Sequence, residues 1–157
     1  MKELFIIRHG KATHQPMPDV ERFLTEKGIK RTEKHAIILR EKNLCPGAIV
    51  SSPAKRAFQT AEILADICNF PKSQIIIMPD FYFMPEGLVY NQIQSLPNTA
   101  NRIFITGHNP LWTVFADELS SQDIWHLRTS GVVGIAFDAD TWYDVFRAPR
   151  KDIIIIN

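Results

Sequence analysis

Three short polar clusters interrupt the sequence where apolar runs end: Arg8-His9-Gly10, Ser51-Ser52-Pro53 followed by Arg56, and Gly107-His108-Asn109-Pro110. Two histidines and two arginines in such positions are an inventory for holding and transferring a phosphoryl group. Each guanidinium offers paired N–H donors to non-bridging oxygens and offsets the charge of the transition state. A neutral imidazole is a nucleophile that needs no base to remove its proton. One histidine can therefore attack phosphorus while its other ring nitrogen donates to a backbone carbonyl. The second histidine, when protonated, is a third cationic donor. These residue types point to metal-free phosphoryl transfer through a phosphohistidine intermediate. A pair of satisfied structural histidines would explain either one alone, but not both together with Arg8 and Arg56. Metal ligation by His9 and His14 fits poorly, because adjacent arginines repel a dication and no carboxylate lies in the three clusters. His14, His35 and His126 read as surface or loop residues, and Lys11 as a solvated lysine at the pocket mouth.

That chemistry requires the clusters to converge, and the apolar runs before them supply the means. Leu4 to Ile7, Ala48 to Val50, Ile75 to Met78, Ile103 to Ile105 and Val132 to Phe137 are short, rich in β-branched residues and nearly unalternated. Strands covered on both faces look like this, and the first four read as core strands. Between them lie helical patterns. Thr25 is placed as an N-cap before Ile29, Ala36 and Leu39, with Gly28 weakening the first turn. Ser52 and Pro53 read as cap and first position of a helix whose stripe is Ala57, Ala61, Leu64 and Cys68. Asn109-Pro110 repeats that pattern before a core stripe of Trp112, Phe115 and Leu119. A further helix is expected from Leu88 to Leu96, with Val89, Ile93 and Leu96 inward. Asp138-Ala139-Asp140 reads as a turn between two strands, the second starting near Trp142. The run Ile153 to Ile156 is a last strand or a packed tail. Phe81, Tyr82 and Phe83 cannot all face inward, so either one of them rims the crevice or the three pack a loop.

Alternating strands and helices give an α/β class: a three-layer α/β/α sandwich around a mostly parallel, mixed central sheet. The carboxyl ends of its parallel strands border one crevice, where ligands bind. Helix N-termini near Ser52 and Asn109 add backbone N–H groups there. Such a pocket suits a compact dianion.

The 157 residues amount to a single expected domain, 1–157, without linker or repeat. Eighteen Lys and Arg against 17 Asp and Glu leave a formal charge of +1, which argues against a nucleic-acid module. A 45% hydrophobic composition argues against disorder. The apolar run Leu4 to Ile7 is too short for a signal peptide, and no stretch approaches the roughly 20 apolar residues of a membrane span. A soluble, cytoplasmic protein with no membrane partner is expected. Cys45 and Cys68 belong to no zinc-binding spacing, and a reducing compartment favours two free thiols over a disulfide.

Arg8-His9-Gly10-Lys11-Ala12, Leu24-Thr25-Glu26-Lys27-Gly28, the stretch Ser52 to Ala61 with Arg56 and Thr60, and Gly107-His108-Asn109-Pro110 resemble the histidine phosphatase (phosphoglycerate mutase-like) superfamily. The likeness is greatest to its small phosphohistidine phosphatase branch and covers nearly the whole chain in the family's order. The resemblance implies a phosphoglycerate mutase-like fold, no metal and no organic cofactor. It makes His9 the phosphorylated nucleophile, Arg8 and Arg56 the phosphate-binding arginines and His108 the second pocket histidine, with Thr129-Ser130-Gly131 near the pocket. In larger members an acidic residue after the third strand protonates the leaving group. The matching position here is near Phe83, which cannot do so; Asp80 and Glu86 are the remaining candidates.

Loss of a general acid costs an alkoxide leaving group on the order of 10²–10⁴-fold in rate. A phosphoramidate, with a weaker bond to phosphorus and a ring that can be protonated, tolerates that loss. Only 51 residues separate Arg56 from His108, which leaves little chain for a lid. The expected activity is a cofactor-independent phosphatase acting on a phosphorylated signalling protein of the histidine-containing phosphotransfer type. The alternatives are a phosphatase for small phosphomonoesters and a phosphate-recognition module without turnover. A mutase, which must shield its intermediate from water, fits less well.

Overall fold

The computed structural model describes all of residues 1–157. Ten regular elements follow in order: β1 (Lys2–Arg8), α1 (Glu26–Glu41), β2 (Ala48–Ser51), α2 (Lys55–Ile67), β3 (Ile76–Ile77), α3 (Leu88–Gln94), β4 (Arg102–Gly107), α4 (Leu111–Leu119), β5 (Val132–Phe137) and β6 (Arg150–Ile156). The strands form one sheet in the order β3-β2-β4-β1-β5-β6. β3, β2, β4 and β1 pair in parallel, while β5 runs antiparallel to β1 and to β6. The sheet is therefore mixed, as the closing hairpin pattern foretold.

β1, β2 and β4 each serve two cores because successive side chains point to opposite faces. Leu4, Ile6, Val50, Ile103 and Ile105 join Val89 and Ile93 of α3, Trp112 and Phe115 of α4, and Trp142. Phe5, Ile7, Ile49 and Phe104 face the other way, against Ala36 and Leu39 of α1 and Ala61 and Leu64 of α2. Helices thus cover both faces, which explains the unalternated strands and produces the α/β/α sandwich. At about 1.5–3 kcal/mol for each large apolar side chain fully buried, these two layers fix the strand ends that carry the polar clusters.

Several local expectations are corrected. Ile75 to Met78 is not a core strand: β3 is a two-residue edge piece, and Ile76 and Ile77 are exposed because only β2 pairs with it. No strand starts at Trp142. Residues Trp142–Arg147 form a 3-10 helix, held because the Trp142 backbone N–H donates to Asn98 Oδ1 and its indole N–H to Ala100 O. The returning strand is β6, so Ile153 to Ile156 belongs to the sheet. α2 begins at Lys55 rather than after a Ser52 cap, since Ala54 is extended. Cys45 and Cys68 are joined in a disulfide with their Cα atoms 5.5 Å apart, so the expectation of free thiols fails. His35 is not a surface residue. It is buried on α1, with Nδ1 2.6 Å from the Ser130 carbonyl oxygen.

Candidate active site

Strand register brings the three clusters together. Arg8 is opposite Gly107 across the β1/β4 pair, and Ser51 is opposite Thr106 across β2/β4. One residue further on, the pairing continues: His9 N–H donates to Gly107 O at 3.0 Å and Ser52 N–H to Thr106 O at 3.0 Å. His9, Ser52 and His108 therefore leave three adjacent strands at the same end of the sheet. The imidazoles of His9 and His108 lie 5.2 Å apart between centroids, tilted by 51°. Gly107 is obligatory at this junction, because a Cβ there would come within 2.5 Å of the Trp112 ring.

The backbone around His9 is clamped from several sides. Gly10 N–H donates to Thr60 Oγ1, whose own proton goes to Arg56 O. Ser130 N–H donates to both Arg8 O and His9 O at 3.1 Å. Ser130 sits at a φ of 63°, its hydroxyl bonded to Thr32 and its carbonyl to His35. The Thr129-Ser130-Gly131 segment is thus at the pocket, and His35 supports it from behind.

His9 Nδ1 is 2.7 Å from Gly10 O, which makes Nδ1 the protonated nitrogen of the neutral ring and leaves the Nε2 lone pair free. Burial, aided by Arg56 and Arg8, pushes the His9 pKa down to about 4, so the ring is neutral at pH 7. His108 pairs through Nε2 with Ser52 Oγ at 2.7 Å, and Ser52 Oγ also accepts the Ala54 N–H. Burial, with His9 and Arg56 nearby, pushes His108 down to about 3. His108 becomes a cationic donor only when a bound anion draws a proton onto it.

The arginines show where an anion fits. Arg8 Nη1 donates to Leu127 O, and Arg56 donates through Nη1 to Asp19 O and through Nη2 to Asp19 Oδ2. Both Nε–H groups are buried without a partner, as is His108 Nδ1. Orphaned buried polar atoms are costly and rare, and two guanidinium N–H donors and one ring nitrogen on residues grouped about His9 match the needs of a phosphoryl group. No three His, Cys, Asp or Glu side chains converge anywhere to hold a metal.

Asp19 was not anticipated. Its carboxylate accepts from Arg56, from Arg22 and, at 2.6 Å, from the Tyr82 hydroxyl, and chiefly the Tyr82 bond holds its pKa far below the usual carboxylate range. Arg22, three residues on, was the visible sign, since that spacing favours an ion pair. Among the three aromatics, Phe81 is buried on Trp112, Tyr82 stands edge-on to His108 and Phe83 is 92% exposed. Tyr82 is the one set against a pocket histidine. Of the two acid candidates, Asp80 is engaged by Gln92, whereas Glu86 lines a cavity that also contains His108. His14 and His126 are exposed.

A crevice at the carboxyl ends of parallel strands, lined by paired arginines and neutral histidines, belongs to a phosphatase of the three-layer α/β class. Residues 4–82 match the family model of the histidine phosphatase superfamily (branch 1), and the chain belongs to that family. It is 28% identical over 138 residues to the phosphohistidine phosphatase SixA of Escherichia coli (strain K12), a match covering 87% of this chain and 86% of that one. The solved structure of the protein histidine phosphatase SixA complexed with tungstate superposes with a TM-score of 0.77 at 28% identity, over 87% of this chain and 88% of that one. A mycobacterial glucosyl-3-phosphoglycerate phosphatase shares the fold, with a TM-score of 0.68 at 14% identity over 98% of each chain. The protein is a hydrolase of the histidine phosphatase type acting on phosphorylated substrates. No helix is long and apolar enough to cross a membrane.

Proposed function

We propose that this chain, as one domain, hydrolyses phosphohistidine on a signalling protein of the phosphotransfer type, with no cofactor. The observation that carries the reading is the neutral His9 with its Nε2 lone pair free, beside two buried guanidinium N–H donors and a His108 ring nitrogen that lack partners. His9 Nε2 forms a bond to phosphorus as the P–N bond of the substrate breaks, and the bonding pair returns to the departing ring. If that ring carries a proton on its other nitrogen, it leaves as neutral imidazole. Arg8, Arg56 and His108 hold the phosphoryl oxygens. Water then attacks phospho-His9, phosphorus gains the hydroxyl, the phosphate takes up the proton, and His9 is restored. The likeness to SixA proteins supports the phosphohistidine substrate.

A cytoplasmic location goes with a signalling role, but the disulfide removes the free-thiol argument for it. The test compares rates, in EDTA, on a histidine-phosphorylated phosphotransfer domain and on a panel of small phosphoesters. The expected result is faster turnover of the phosphoprotein. A much faster phosphoester would overturn the substrate assignment.

A further inference from the structure

A cavity of about 280 Å³ opens beside His108, and the phosphoryl chemistry above makes no use of it. Its walls are apolar: Tyr82, Phe83, Met84, Leu111 and Val114 surround a floor made by Phe81 set edge-on to Trp112, with ring centroids 5.1 Å apart. Neither arginine of the phosphoryl site reaches its lining. The one acidic side chain there is the exposed Glu86, which enters no salt bridge. The volume falls just below the roughly 300–1,000 Å³ of sites for drug-sized ligands, a size suited to a single ring. Because His108 belongs both to this cavity and to the phosphoryl site, a group leaving phosphorus has an apolar compartment within reach.

We propose that this cavity is the leaving-group subsite, that it takes a planar uncharged or cationic ring such as imidazole or a simple aryl group, and that Glu86 excludes leaving groups bearing a carboxylate or second phosphate. The proposal rests on the assignment of the phosphoryl group to the His9–His108 crevice. Aromatic walls favour a flat ring through offset and edge-on contacts. An anionic tail entering the same space loses its hydration without gaining a cationic partner, and it meets the Glu86 carboxylate. An imidazole protonated on its distal nitrogen meets the opposite situation, since that N–H is a donor facing a free carboxylate, and protonation there is the state in which the ring departs neutral.

Three probes separate the subsite from the underlying reading. Phosphoramidate carries only ammonia as its leaving group and tests the phosphoryl site alone; phosphoimidazole fills the cavity with a ring; 3-phosphoglycerate would place a carboxylate in it. Phe83→Ala and Glu86→Lys alter exposed side chains, so the fold does not depend on them. The expected result for Phe83→Ala is a fall of about tenfold in kcat/KM for phosphoimidazole, with phosphoramidate within twofold of the unaltered protein. Glu86→Lys is expected to shift the ratio of 3-phosphoglycerate to phosphoimidazole turnover at least tenfold toward 3-phosphoglycerate. Equal effects of Phe83→Ala on the ring-bearing and bare probes, or an unchanged ratio in Glu86→Lys, would overturn the subsite while leaving the phosphatase reading intact. Absence of phosphoramidate turnover in the unaltered protein would overturn that reading and the subsite with it.

Discussion

Arg56→Lys is the substitution that most sharply tests how the crevice binds an anion. Arg56 uses Nη1 and Nη2 on Asp19, at 2.8 and 3.0 Å, and keeps a buried Nε–H without a protein partner. A lysine retains the charge but has one nitrogen, which cannot hold Asp19 at two points and also stand where Nε stands. The variant therefore loses one charge-assisted hydrogen bond to the phosphoryl group, worth about 1.5–3 kcal/mol. At about 1.4 kcal/mol per decade, kcat/KM should fall on the order of 10–100-fold. Stability should change little, because the Asp19 carboxylate keeps Arg22 and Tyr82 as partners. The assay is the pseudo-first-order hydrolysis of phosphoramidate, with urea unfolding in parallel to confirm an intact fold. Retention of activity within threefold by a well-folded Arg56→Lys protein would refute the assignment of Nε to the anion.

Other expectations concern stability. The unfolded chain takes up a proton on His9 near pH 6.5, whereas the folded chain does so only near pH 4; the unfolded state holds more protons between those values. Stability from this group is thus complete above pH 6.5 and drains away as pH falls toward 4, by on the order of 3 kcal/mol. Urea melts at pH 7 and 4.5 should show this slope and its flattening in His9→Asn; an unchanged slope would contradict the burial argument. Gly28→Ala should destabilise by about 1–3 kcal/mol, because a Cβ there strikes the Lys11 backbone next to the His9 loop; denaturant midpoints measure it. Reduction of Cys45–Cys68, which closes a sequence separation of 23 residues, should cost about 3 kcal/mol and leave kcat/KM unchanged, as followed by unfolding with and without reductant.

The strand ends were legible because β1, β2 and β4 are buried on both faces, and burial on both faces leaves a direct mark in composition. β3 carries the same mark, yet it lies at an edge; four apolar residues in sequence do not reveal how many neighbours a strand has. His9, His108, Arg8 and Arg56 stood out because each follows such a run. Asp19 did not, since its partners Arg56 and Tyr82 are 37 and 63 residues away and an aspartate in a proline-rich loop reads as solvated. His35 was missed for a related reason: its position on the buried face of α1 was readable from the helical period, but its partner Ser130 is 95 residues distant. The Cys45–Cys68 bond is not legible in the sequence, because a compartment says nothing of geometry and Cα separation cannot be read from a spacing of 23.

The central claim is that His9 carries the phosphoryl group during turnover. Rapid mixing with phosphoramidate, quenching without acid, and peptide mass spectrometry test it directly. The account expects a phosphoryl adduct on His9 that forms and decays at rates consistent with turnover, and its loss together with phosphate release in His9→Ala. An adduct on His108 instead, or continued phosphate release by His9→Ala, would contradict it.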